Sequence, residues 1–134
     1  MKILRILFLC SLAVALGVPI AQGQATRKKA TFADIQPILK ENCMACHRPG
    51  EIAPMSLLTY EEVRPWARSV RKEVKRKSMP PWHADPKHGE FRNDVSLSPE
   101  EMQLIIDWVD GGAQRGNPAD IPPPPEFVEG WQLT

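Results

Sequence analysis

Residues 43–47 read Cys43-Met44-Ala45-Cys46-His47. This C-x-x-C-H run is the attachment signature of a c-type haem. Two thiols at this spacing reach the two vinyl groups of one porphyrin and form thioethers. The next residue, His47, then sits under the iron and offers a ring nitrogen as proximal ligand. Two other readings use the same residues. A thioredoxin-like dithiol needs a βαβ setting, and no such pattern surrounds the motif. A zinc site would recruit Cys43, Cys46, His47 and one of His83 or His88, but adjacent Cys46 and His47 spread poorly around a tetrahedron.

Upstream of the motif, Thr31 caps a predicted helix with Asp34 three residues on. Phe32, Ile35, Ile38, Leu39 and Cys43 recur at helical spacing. Pro37 falls inside that pattern and predicts a later start or a bend. Farther back, residues 1–23 read as an export signal. Lys2 and Arg5 precede an apolar run from Ile3 to Val18, and Ala21-Gln22-Gly23 offers small residues around a cleavage point. The expected location is therefore periplasmic or otherwise exported. The alternative is an uncleaved membrane anchor, for which the run is short. Leu9 before Cys10 argues against lipidation. Residues 24–30 read as a polar, flexible lead, and residues 31–121 as the folded domain.

Cleavage leaves 111 residues with Cys43 and Cys46 as their cysteines and a charge of −1. Near-zero charge gives no global field for nucleic acid. Ile, Leu, Val and Phe number 21 of those 111 residues. That fraction is thin for a domain core, and small domains often need a staple. A disulfide across two intervening residues closes too small a loop to serve, whereas a haem would fill the centre.

Downstream, residues 48–58 hold Pro49, Gly50 and Pro54 and read as loop. Thr59 and Glu62 form a second capping box. The expectation is a turn at 59–64 and a helix over 65–77 with an apolar stripe of Trp66, Val70 and Val74. That helix also carries Arg64, Arg68, Arg71, Lys72, Lys75, Arg76 and Lys77. Its basic surface suits docking of an acidic redox partner, and a plain solvated face explains it as well. Met79-Pro80-Pro81-Trp82 stops the helix. Ser98-Pro99-Glu100-Glu101 starts the last one, and Gly111-Gly112 ends it. A proline-rich tail spans 122–134 and includes Trp131. No segment reads as a strand, so the fold class is all-α with long proline-rich loops.

A sixth iron ligand has several sources. Met44 lies between the attachment cysteines and cannot cross the ring. Met102 reads as core. Met79, in a loop stiffened by Pro80 and Pro81, is favoured. His83, His88, Met55 and an open site are the alternatives. Candidate wall residues are Ile52, Met55, Leu57, Leu58, Trp66, Trp82 and Phe91, and the Pro49 or Pro54 carbonyl is the expected acceptor for the proximal ring N–H.

From Phe32 to Ala113 the chain resembles the bacterial monohaem c-type cytochrome family. The residues that carry the likeness are Cys43–His47, Met79-Pro80 and the last helix ending Asp107-Trp108-Val109-Asp110-Gly111-Gly112-Ala113. It is more narrowly similar to domains with a Cys-x-x-Cys-His-Arg-Pro-Gly, Ala-Pro-Met-Ser-Leu, Met-Pro-Pro-Trp pattern, here Cys43–Gly50, Ala53–Leu57 and Met79–Trp82. In that group the domain often precedes copper monooxygenase-like or thioredoxin-like modules, whose activities are not carried over to this chain. The resemblance implies a small helical fold whose first and last helices cross near the haem, with Phe32 and Trp108 suited to the crossing. It implies Cys43 and Cys46 as haem anchors, His47 as proximal and Met79 as distal ligand. Many relatives have glycine near the distal methionine, whereas Ser78 stands here. The expected function is single-electron transfer between protein redox partners, without an enzymatic reaction. Alternatives are a haem enzyme or sensor with an open or labile distal site, the haem module of a larger redox system, and a haem-free interaction domain with a zinc or dithiol site.

Overall fold

The first helix begins at Thr31, where the Asp34 carboxylate turns back to accept the Thr31 N–H at 2.7 Å and its hydroxyl at 2.6 Å. In the computed structural model, which describes residues 29–82 and 84–128, this helix is α1, Phe32–Asn42. The signal at 1–23, most of the lead, His83 and Trp131 lie outside the described residues. Pro37 neither delays nor ends α1. Proline removes one N–H and crowds the preceding turn, but here it stands on the exposed side while Phe32, Ile35, Ile38 and Leu39 stay buried on the other.

The middle of the chain departs from the expected turn-then-helix. A short helix α2, Tyr60–Val63, runs into a 3-10 turn at Arg64–Trp66 and then into α3, Ala67–Lys75. The Thr59–Glu62 box caps the whole run: the Thr59 hydroxyl accepts from the Glu62 N–H, and Glu62 accepts from the Thr59 N–H at 2.9 Å. Pro65 sits in the 3-10 turn, where its missing N–H costs least. The buried stripe is therefore Val63, Ala67, Val70 and Val74, and Trp66 is 45 % exposed. The expected stripe took the large residue and passed over the small one. Exposed Trp66 also drops out of the expected haem wall.

Helix α4, Pro99–Asp110, starts and stops where the sequence places it. Ser98 accepts the Glu101 N–H at 3.1 Å and Glu101 returns to the Ser98 N–H at 2.8 Å. Gly111 caps the end, and Gly112 turns with φ +96°. Helix α4 packs against both α1 and α3. At the contact with α1 the Phe32 and Trp108 rings lie 6.2 Å apart, with Tyr60 edge-on to Phe32 at 5.6 Å. The Trp108 indole N–H donates to the Gln114 carbonyl at 2.9 Å, which also accepts the Phe32 N–H at 2.9 Å. The Tyr60 hydroxyl donates to the Ala113 carbonyl at 3.0 Å. The polar groups of Tyr60 and Trp108 and the Phe32 N–H are thus paired. Gly116 passes so close to Thr31 that a Cβ there would meet the Thr31 Cβ at 2.8 Å.

The described residues thus form an all-α fold without strands, save an isolated bridge between Thr31 and Gln114. None of the described helices is long and apolar enough to cross a membrane. After α4 the chain folds back. The buried Gln36 amide donates to the Pro122 carbonyl at 3.0 Å, and the Arg48 guanidinium lies 4.4 Å over the Phe127 ring.

Candidate cofactor site

Helix α1 delivers the C-x-x-C-H motif as a tight turn. The Cys43 and Met44 N–H groups both donate to the Leu39 carbonyl, at 2.9 and 2.8 Å. The Cys46 and His47 N–H groups return to the Cys43 carbonyl, at 3.2 and 2.9 Å. This winding splits the motif by side. Met44 is fully buried in the core with Ile35, Leu39 and Leu57, while Cys46 is exposed and Cys43 half-buried. Met44 is spent on packing.

His47 is buried, and its Nδ1 lies 3.2 Å from the Met55 carbonyl oxygen. A carbonyl only accepts, so this contact puts the proton on Nδ1 and leaves the Nε2 lone pair free. The expected acceptor was Pro49 or Pro54. The loop instead brings round Met55, because the Leu57 N–H donates to the His47 carbonyl at 2.9 Å and the Ala53 N–H to the Cys46 carbonyl at 3.1 Å. These two ladder-like bonds wrap residues 53–57 around the imidazole.

Two adjoining cavities meet at this turn. One, of about 270 Å³, is lined by Cys43, Cys46, His47, Ile52, Pro54 and Met79 among others. The second, of about 150 Å³, shares Cys43, His47, Pro54 and Met79 and adds Leu57, Val70 and Val74. Their walls are almost wholly apolar. Met79, 32 residues beyond His47 in the chain, therefore faces the same space as the motif. Of the expected wall, Ile52, Met55 and Leu57 line this space. Trp82 instead borders a third cavity of about 290 Å³ behind Met79, with Leu97 and Met102, and its ring meets Phe91 edge-on at 5.7 Å. Met102 packs against the core, as expected. His88 stands on an exposed turn, its Nε2 3.8 Å from Asp85 Oδ2.

The electrostatics of the site favour neutral sulfur. Burial pushes the Cys43 thiol up to about 12, with nearby Cys46 adding to the effect. A redox-active dithiol depends on the opposite shift, toward thiolate. Among the described residues no group of three or more His, Cys, Asp and Glu side chains gathers as a metal cage.

The sequence reading missed Glu73 and its contact with Ser78. Glu73 lines the second cavity beside Met79. Its carbonyl accepts the Ser78 N–H at 3.0 Å and the Met79 N–H at 3.4 Å, and its carboxylate accepts the Ser78 hydroxyl at 2.5 Å. That hydroxyl holds the Glu73 carboxyl below its usual range. Desolvation opposes the shift, and Arg76 and Lys72 add to it. A Glu five residues before a Ser at a helix end was the available signal.

The arrangement offers two thiols for covalent attachment, one imidazole nitrogen and one thioether sulfur, all facing one apolar space. No family model, curated protein or solved structure matches the chain.

Proposed function

We propose that this chain is an exported c-type cytochrome that binds one haem covalently and passes single electrons between protein partners, on a cytochrome c-like helical fold. One observation carries the reading: Cys43, Cys46, His47 and Met79 border a single apolar space. The donor set suits haem c: Cys43 and Cys46 would anchor it, and the His47 imidazole nitrogen and the soft Met79 sulfur would hold its iron. Bound haem c supplies one-electron exchange between ferric and ferrous iron.

The chain's own residues then have distinct tasks. Cys43 and Cys46 tether the group to the end of α1. His47 presents Nε2 as the proximal ligand, and the Met55 carbonyl fixes the ring's tautomer and orientation through Nδ1–H. Because its carbonyl is committed to His47, Met55 belongs to the proximal wall. Met79 is then the distal donor, and its soft thioether favours the reduced metal and raises the potential. Leu57, Val70, Val74 and Pro54 would line the bound group with apolar surface, which disfavours the extra charge of the oxidised centre.

Two measurements test the reading. A haem stain on a denaturing gel must stay with the chain, and the pyridine spectrum of the purified protein must be that of haem c. A colourless band overturns it. Met79 is 43 % exposed, which favours a second reading, a sensor or enzyme whose distal ligand gives way to a small molecule. High-spin ferric features at rest would select that second reading. The weak far-red band of methionine-ligated ferric haem would select the first.

A further inference from the structure

We propose that Ser78 and Glu73 form a clamp that positions Met79 as the distal donor. The inference rests on the haem reading above. Helix α3 ends at Lys75, and Lys77 then takes a left-handed conformation, φ +57°. A non-glycine residue there needs surrounding bonds to hold it. The Val74 carbonyl accepts the Lys77 N–H at 3.0 Å, and Glu73 holds the residues that follow. The Glu73 carbonyl gathers the Ser78 and Met79 N–H groups, and its carboxylate takes the Ser78 hydroxyl at 2.5 Å. Glu73 thus takes both N–H groups and the Ser78 hydroxyl, which also lies 3.1 Å from the Glu73 carbonyl oxygen, and together these contacts fix the backbone that starts Met79. On the other side of Met79, Pro80 is buried and its carbonyl accepts the Trp82 N–H at 2.8 Å.

The clamp matters because the space around Met79 is not closed. The third cavity, of about 290 Å³, is lined by Met79 and Pro80 on the side of Trp82, Leu97 and Met102. Met79 therefore borders room both toward His47 and away from it. A thioether is a weak, neutral donor, so small gains in its orientation decide whether it stays on iron. The hydroxyl of Ser78, in place of the glycine common near such a methionine, closes the turn that a bare backbone would leave to two N–H bonds. Ser78 and Glu73 are positioning residues that act through Met79.

The test uses the complete haem-loaded protein and imidazole as competing ligand. Imidazole binds iron only when Met79 is off, so its apparent affinity reports that fraction. Ser78→Ala should raise imidazole affinity about tenfold, the size expected when a charge-assisted hydrogen bond is withdrawn. It should also weaken the far-red methionine band. Ser78→Thr, which keeps the hydroxyl, should match the parent. Glu73→Gln should fall between parent and Ser78→Ala, and serves if the alanine variant does not fold. Thr59→Ala removes another helix cap and should lower thermal stability without changing imidazole affinity. Parental affinity in Ser78→Ala and Glu73→Gln overturns the clamp while leaving the haem reading intact. An equal shift in Thr59→Ala overturns it too, since general loosening would then suffice. In a Met79→Ala background, Ser78→Ala should have no effect, and a tenfold shift there overturns action through Met79. A failed haem stain is a different result, because it removes the haem reading itself.

Discussion

The Nδ1 nitrogen of His47 lies 3.2 Å from the carbonyl oxygen of Met55. The eight-residue span between them is closed by the Leu57 and Ala53 backbone bonds to the motif, so the imidazole is held by main chain on its own loop. The nitrogen left for a metal is thereby defined before any ligand arrives. A ring that is oriented in advance loses less rotational freedom on binding.

Because the proximal side is fixed in this way, substitutions at Met79 should act on the distal side alone. Met79→Ala should give high-spin ferric spectra and a lower reduction potential. Met79→His should restore a low-spin spectrum while keeping the potential below the parent, since nitrogen favours oxidised iron more than thioether sulfur does. Spectroelectrochemistry checks both. A parental spectrum and potential in Met79→Ala would remove Met79 from the iron.

Cys43→Ala with Cys46→Ala should leave the chain unfolded or degraded and not merely colourless. The aliphatic content is low, and the apolar walls formed by Leu57, Val70 and Val74 would have no covalently held filler. Expression yield and far-ultraviolet circular dichroism are the measurements. A soluble double variant with the parental helical signal would show that the helices carry themselves.

Trp108 supplies both packing and a hydrogen bond. Trp108→Ala should cost about 3–5 kcal/mol of stability, as for other large buried aromatics. Trp108→Phe should cost less, about 1–3 kcal/mol, since a ring remains and Gln114 keeps its bond from the Phe32 N–H, while the indole bond and part of the ring volume are lost. Denaturant titration of the holoprotein separates the two. Equal losses would mean that the indole bond, and not the ring volume, holds α1 to α4.

Acid should loosen the α2 entry. Burial raises the Glu62 carboxyl, but hydrogen bonds from Ser56, Thr59 and the Leu58 backbone outweigh it and bring it below its ordinary value of 4.5. A lowered folded value means the unfolded state binds the proton first. The stabilisation is therefore complete well above pH 4.5 and is lost as the pH falls through the folded value. Glu62→Gln should show a shallower loss of stability as the pH falls below 4.5, tracked by thermal melts, and a slope equal to the parent's would argue against this contribution.

The basic surface stays largely exposed, with Arg64, Arg68, Lys72, Lys75, Arg76 and Lys77 all facing solvent and Arg71 half-buried. The helical run ends at Lys75, and Arg71 pairs across to Asp110 at 2.7 Å. Arg68, Lys72 and Lys75 remain on the outer side. Reversing these three should slow electron transfer to an acidic partner at low ionic strength, with the difference shrinking in salt. Rates that do not change would make the face a solvated surface. Reversing Arg71 instead should cost stability through Asp110.

Some of this was legible in the chain because the cause is local. The Thr31–Asp34, Thr59–Glu62 and Ser98–Glu101 boxes each bond across three residues, so the residue types announce the helix starts. The Cys43–His47 motif carries its chemistry within five residues. Trp66 misled because a large apolar residue outweighed the small Ala67, although Val63, Ala67, Val70 and Val74 were already at helical spacing. The Met55 acceptor left no signal, since a backbone carbonyl is the same in every residue.

By itself the sequence determined where the first and last helices begin, that strands are absent from the pattern, and which side chains carry thiol, thioether and imidazole groups. Those properties follow from side-chain chemistry and from hydrogen bonds among near neighbours. Only the tertiary structure decided that Met79 borders the same space as Cys43 and His47, that the Met55 carbonyl meets the His47 imidazole, and that Glu73 gathers the Ser78 and Met79 N–H groups. Such meetings depend on how α3 and α4 pack and on where the loops between them return. Packing sums many weak contacts between distant segments, so no short stretch of sequence encodes it.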